Sequence, residues 1–200
     1  MTDKSNLKVE DIKNLAENKY YCVVQKALYY ITEFLSGPMC GKCMPCSMGC
    51  YEAKLRIANI QQGEGVKKDI EVLNTIAEMM WKSSMCKKGK DTAKYLTDWL
   101  ATNVFSEHVL QCCGAMQCPS MIQYSIIPSK CTFCGKCQQV CRFNAIVGES
   151  QKPYLTGYLP FEILVKICNR CGECIKVCPE DAILLTCMEY INKEELCQKH

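Results

Sequence analysis

The chain of 200 residues has only 2 histidines and 2 tryptophans, and no apolar run near the roughly 18 uncharged residues that a membrane span needs. No glycine-rich loop follows a strand-like stretch, which excludes a nucleotide-binding fingerprint. The N-terminus, Met1 to Asn18, is polar and charged and lacks the apolar core of a secretory leader. Charge of one sign is also scarce. Lysine and arginine total 24 against 21 acidic residues, a formal +3, and the lysines are scattered instead of lining one stripe, which argues against a nucleic-acid partner. No general base, nucleophile or open catalytic metal position stands out, so the chain is read as not catalytic alone.

What is abundant is cysteine, 19 residues. A secreted disulfide scaffold and an intracellular metal carrier compete to explain it. The odd count, the missing leader and a length beyond that of most disulfide scaffolds favour reduced, metal-bound thiols in the cytoplasm.

The first half reads as helices. Val23, Val24, Ala27, Leu28, Ile31, Phe34 and Leu35 recur at helical spacing across Tyr20 to Leu35, before Gly37-Pro38. A second stretch, Ser47 to Ile60, puts Met48, Tyr51, Leu55 and Ala58 on one face. A third carries Val66, Ile70, Leu73, Ala77 and Met80, and a fourth Ala93, Leu96, Leu100 and Val104. Short connectors join them, so the expectation is a four-helix bundle with the aromatic and methionine faces inside. After Ala101 the character changes, and β-prone runs appear at Met121 to Ile127, Ala145 to Val147, Phe161 to Ile167 and Ala182 to Leu185.

Those runs bracket an internal repeat of about 37 residues. Its units are Cys131-x2-Cys134-x2-Cys137-x3-Cys141 and Cys168-x2-Cys171-x2-Cys174-x3-Cys178-Pro179. Three cysteines two residues apart wrap one face of a cubane, and the fourth reaches the other cluster. The assignment is one [4Fe–4S] on Cys131, Cys134, Cys137 and Cys178, and a second on Cys168, Cys171, Cys174 and Cys141. Gly135 and Gly172 stand where the backbone turns tightly. A pair of zinc sites would call for paired hairpin ligands instead. Roughly residues 119–190 resemble the bacterial two-[4Fe–4S] ferredoxins, whose fold is a pseudo-twofold β-α-β repeat. Two departures stand out. Arg142 replaces the proline found at 179, and its charge is expected to raise the potential of the nearby cluster. The link from Cys141 to Cys168 is long, with Gly148 to Pro160 expected as a surface hairpin or loop.

In the first half, Cys40-Gly-Lys-Cys43-Met-Pro-Cys46 is followed 40 residues later by Cys86. Three close thiolates and one distant one also suit a cubane, at a helix N-terminus that favours its negative charge. Gly37 to Gly49, with Ser84-Met85-Cys86, resembles the C-terminal iron–sulfur domain of the NADH-binding flavoprotein subunit of respiratory complex I. The resemblance covers roughly residues 20–110 and implies a helical bundle holding a third [4Fe–4S] on Cys40, Cys43, Cys46 and Cys86. A bundle followed by a two-cluster ferredoxin is similar to the C-terminal part of the flavoprotein subunit of electron-bifurcating hydrogenases. The flavin and NADH-binding domains of that family have no counterpart here, so the chain reads as a detached electron-transfer piece.

Seven cysteines remain. His108-x4-Cys113-x4-Cys118 lies between bundle and repeat, and the hydrogenase flavoprotein that the chain resembles carries zinc near this junction. Completed by Cys22, the set is Cys3His, an ordinary structural zinc group. It would pin the two cluster domains or form their hinge. Simple packing of a histidine among thiols is the other reading, and Cys112 leaves the choice of ligand open. Cys50, Cys187 and Cys197 read as buried or tail thiols and His200 as solvated. Three oxidised clusters at about 2− each would carry the formal charge from +3 to about −3.

The fold class expected is α+β. Residues 1–19 form a tail or leading helix, 20–107 the bundle, 108–120 the cysteine/histidine junction, 121–190 the ferredoxin domain and 191–200 a tail. The function expected is a three-cluster electron-transfer subunit of a flavin-based oxidoreductase complex, with bifurcation among the activities the resemblance implies. Its partners would be an NADH- or NADPH-linked flavoprotein and a ferredoxin or other iron–sulfur subunit. A free-standing polyferredoxin carrier and a redox- or iron-sensing module are the alternatives.

Overall fold

A computed structural model describes residues 8–150 and 159–188. The described residues divide into two compact units, 8–121 and 122–188. None of the described helices is long and apolar enough to cross a membrane.

The first unit is helical. In order come α1 (Val9–Lys19), α2 (Val23–Ser36), α3 (Met44–Gln62), α4 (Lys67–Ser83), α5 (Lys87–Leu100) and the short α6 (Val104–Val109). The leading helix α1 is part of the packed unit: Val9, Ile12 and Ala16 are buried. Helix α2 buries Val24, Ala27, Ile31 and Phe34 as its periodicity predicts, together with Tyr30. The Tyr30 ring meets Tyr95 and Trp99 edge-on, at 5.5 Å each. Its hydroxyl lies 2.9 Å from Thr92 Oγ1, which itself donates to the Lys88 carbonyl, so the Tyr30 O–H is the donor. The fourth stretch is two helices. α5 stops at Leu100, and α6 begins at Val104 after three intervening residues.

Helix α3 corrects the expected face. Met48, Tyr51 and Leu55 are 64%, 57% and 47% exposed, while Cys46, Cys50, Ala53, Ile57 and Ile60 are buried. Close packing explains the choice. A Cβ added at Gly49 would lie 3.1 Å from Ile76 Cγ2 and 3.2 Å from Met80 Cγ, so α4 approaches where α3 has small side chains. Val66 is likewise exposed, although Leu73, Ala77 and Met80 are buried as expected.

The second unit repeats itself in space with the 37-residue offset of its sequence. Strand β1 (Ile122–Ile126) pairs antiparallel with β4 (Ile183–Cys187), and β2 (Ile146–Val147) with β3 (Glu162–Ile163). Ile126 faces Ile183 and Ile163 faces Ile146, equivalent pairs from opposite units. The next rungs match as well: Ile127 N–H donates to Ala182 O at 2.8 Å, and Leu164 N–H to Ala145 O at 2.7 Å. The third β-prone run is shorter than expected, because the chain turns after Leu164, whose carbonyl accepts from Ile167 and Cys168. Between the strands sit the short helices α7 (Lys136–Val140) and α8 (Glu173–Lys176). The core holds Tyr124, Ile146, Phe161, Ile163 and Ile183 beside Cys137 and Cys174. Cys187, expected as a thiol, is disulfide-bonded. Residues 151–158, where the surface hairpin was expected, and the tail with Cys197 and His200 lie outside the described residues.

Candidate metal centres

In the second unit each cysteine run wraps around a cavity. Phe133 and Gly135 in the first run, and Arg170 and Gly172 in the second, all have positive φ, between 56° and 77°. The two glycines cap α7 and α8. This winding gathers the thiols around two small cavities. One is lined by Cys131, Cys134, Cys137 and Cys178. The other is lined by Cys141, Cys168, Cys171 and Cys174. The fourth cysteine of each run therefore lines the cavity of the other. Its sulfur also accepts a backbone hydrogen bond, from Ala145 N–H to Cys141 at 3.4 Å and from Ala182 N–H to Cys178 at 3.3 Å. Such bonds favour a charged sulfur. Burial, then Cys168, pushes the Cys174 thiol up to about 11, and burial pushes up Cys137. Four crowded thiols of this kind suit a cationic iron–sulfur core, whose charge offsets what burial costs.

In the first unit Cys40 is exposed, in the loop after α2. Cys43 caps α3, Cys46 sits in its first turn, and Cys86 caps α5. Neither cap makes a side-chain hydrogen bond, and neither first turn carries an acidic residue, so the amides at both helix ends face no competing carboxylate. The two ends are neighbours. A Cβ on Gly89, in the first turn of α5, would lie 3.4 Å from Cys46 Sγ. Lys88 Nζ reaches Pro38 O at 3.4 Å. A hydrogen bond from Cys50 holds the Cys46 thiol down at about 7, the more metal-ready form.

The third group is a compact tetrad. Cys22, His108, Cys113 and Cys118 are all buried, and their donor atoms lie within 4.8 Å of one another. Cys22 and Cys118 sulfurs are 3.7 Å apart, and His108 Nε2 is 3.2 Å from Cys22 and 3.4 Å from Cys118. A tetrahedral zinc with its usual bond lengths sets edges of about 3.8 Å between sulfurs and about 3.6 Å from sulfur to nitrogen. The bare side chains thus have nearly the spacing that one ion would impose. His108 Nδ1 donates to Val104 O at 2.7 Å, which turns Nε2 to the thiols. Hydrogen bonds from Cys118, then Cys22, hold Cys113 well below the thiol range. Cys112 is disulfide-bonded and stands outside the tetrad, and all four members belong to the first unit.

One residue at this group escaped the sequence reading. Gln117 Oε1 accepts from the Tyr21 and Cys22 amides at 3.0 and 3.2 Å, and its carbonyl accepts from Gln25 Nε2 at 3.0 Å. It ties the Cys113–Cys118 loop to the start of α2. No spacing rule singles out such a glutamine.

Residues 26–111 match the family described as the NADH-ubiquinone oxidoreductase-F iron-sulfur binding region, and residues 130–195 match the 4Fe-4S dicluster domain. Among curated proteins, the NADP-reducing hydrogenase subunit HndC of Solidesulfovibrio fructosivorans is 29% identical over 136 residues, which is 66% of this chain and 28% of that protein. The F component of the NADH-quinone oxidoreductase of Streptomyces coelicolor is 38% identical over 72 residues, 36% of this chain and 16% of that one. The NADP(+)-dependent formate dehydrogenase subunit beta of Moorella thermoacetica is 34% identical over 77 residues, 37% of this chain and 10% of that one. The matches thus span 28% or less of these relatives' length. In succession, then, the chain carries a stretch similar to the iron–sulfur binding region of the NADH-ubiquinone oxidoreductase-F family and one similar to a 4Fe-4S dicluster domain.

Proposed function

We propose that the chain is a three-cluster electron relay of a flavin-based, NADH- or NADPH-linked oxidoreductase complex. Cys40, Cys43, Cys46 and Cys86 would hold the first [4Fe–4S] group. Cys131, Cys134, Cys137 and Cys178 would hold the second, and Cys168, Cys171, Cys174 and Cys141 the third. Such groups supply one-electron chemistry, while the protein sets spacing, hydrogen bonding and dielectric. The bundle end would meet the flavoprotein partner, and the ferredoxin-like end a ferredoxin or another iron–sulfur subunit. Bifurcating complexes are one class that uses such a relay. Cys22, His108, Cys113 and Cys118 would hold a structural zinc.

The observation that carries the reading is the crossed lining of the two cavities, four cysteines each, by the runs of the second unit. The relatives supply the context: each is named as a subunit of an NADH- or NADP-linked oxidoreductase. The test is metal and sulfide stoichiometry on anaerobically purified chain. About 12 iron, about 12 sulfide and about 1 zinc are expected. About 8 iron would remove the bundle cluster and favour a free carrier. Twelve iron without zinc would leave the tetrad as packing.

A further inference from the structure

Ser84 lies in the turn between α4 and α5, two residues before Cys86, and is 4% exposed. Its Oγ is the one buried side-chain oxygen or nitrogen among the described residues that has no hydrogen-bond partner. An unpaired buried hydroxyl costs about 1–3 kcal/mol, so this position calls for an acceptor. The surroundings name one. A Cβ on Gly89 would sit 2.7 Å from Ser84 Oγ and 3.4 Å from Cys46 Sγ, so oxygen and sulfur border the same small space. Gly89 keeps that space open at a helical position where alanine would be favoured by about 1 kcal/mol. The Ser84 amide is already committed to Met80 O at 3.0 Å, which leaves the hydroxyl as the free donor of the residue.

We propose that the Ser84 hydroxyl donates a hydrogen bond to the Cys46 thiolate and thereby raises the reduction potential of the bundle cluster. The inference rests on the reading that Cys40, Cys43, Cys46 and Cys86 hold that cluster. One-electron reduction takes the cluster with its thiolates from about 2− to about 3− and moves no proton. The donor interacts more strongly with the more negative state, so it favours reduction. Ser84 is a positioning residue, acting through Cys46.

The test is potentiometry followed by electron paramagnetic resonance on the full chain, with iron counted in the same preparations. Ser84→Ala is expected to disfavour reduction of one cluster about tenfold, which for a one-electron couple is about 59 mV. Ser84→Thr retains the hydroxyl and is expected to keep the wild-type midpoint. An alanine variant that sheds the bundle irons while the threonine variant keeps them also supports the role. If both variants shed them, or if the alanine variant keeps both its irons and the wild-type midpoint, the role is overturned. A wild-type chain with about 8 irons overturns the cluster reading, and this role with it.

Discussion

The sulfurs of Cys22 and Cys118 lie 3.7 Å apart although 96 residues separate them in the chain. With His108 and Cys113 they close the start of α2 against the end of the first unit. A metal bound there acts as a staple, because its binding free energy is available only to the folded state. Cys118→Ser is expected to take zinc from about one per chain to near zero and to cost about 3 kcal/mol, or about 10 °C in the unfolding midpoint. Elemental analysis and calorimetry check both. A strong chelator is expected to lower the wild-type midpoint similarly and to leave the variant unmoved. A chelator effect of equal size on both would place the metal elsewhere.

The crossed cavities make a prediction that depends on grouping. Cys178 belongs by sequence to the second run but lines the cavity of Cys131, Cys134 and Cys137. Cys178→Ser and Cys131→Ser are therefore expected to alter the same paramagnetic signal. Cys141→Ser and Cys168→Ser are expected to alter the other. Spectra that group by sequence run instead would contradict the crossed arrangement.

Spacing made these groups legible in the sequence, because in a tight loop the number of residues between cysteines is itself the geometry. The 37-residue repeat carried over to the strand registers for the same reason: Ile126 and Ile163 occupy equivalent places. The helices were legible by period, but the buried face of α3 was not. Periodicity ranks large apolar side chains as core. Here the neighbour comes too close for them, and Gly49 and Cys50 meet α4 at Ile76 and Met80 while Met48 and Tyr51 stay outside. Ser84 and Gln117 were invisible for a different reason, since a hydroxyl or amide gains its role from atoms far along the chain.

Gly89 tests that close packing directly. Alanine there should strengthen α5 on propensity alone, by about 1 kcal/mol. Its methyl would meet Ser84 Oγ at 2.7 Å and Ser84 Cβ at 2.8 Å, and the Cβ cannot rotate away. Gly89→Ala is expected to lose a net 1–3 kcal/mol from overpacking. Denaturant titration of the first unit's helical signal measures it. A stabilised variant would mean that the turn relaxes freely.

Arg170 and Phe133 occupy equivalent positions in the two runs, both at positive φ, yet only one is charged. The Arg170 amide lies 3.4 Å from Cys168 Sγ, and its Nε donates to Ile122 O at 2.8 Å. The Arg170 backbone follows Cys168, which lines one cavity, while its half-buried guanidinium is held by Ile122 O and lies 3.9 Å from Met188 Sδ; Phe133 puts no charge at the equivalent place beside the other cavity. Arg142 is exposed, so solvent screens its charge more. Glu173, which lines the same cavity, is paired with Lys176 at 2.7 Å. A fixed positive charge stabilises the more negative, reduced state. Arg170→Gln is therefore expected to lower the potential of the cluster on Cys141, Cys168, Cys171 and Cys174, by more than Arg142→Gln does. The signal altered by Cys141→Ser identifies which midpoint to follow. A lowered unfolding midpoint with an unmoved potential would instead make Arg170 only the anchor of β1, since the bond to Ile122 is lost in either case.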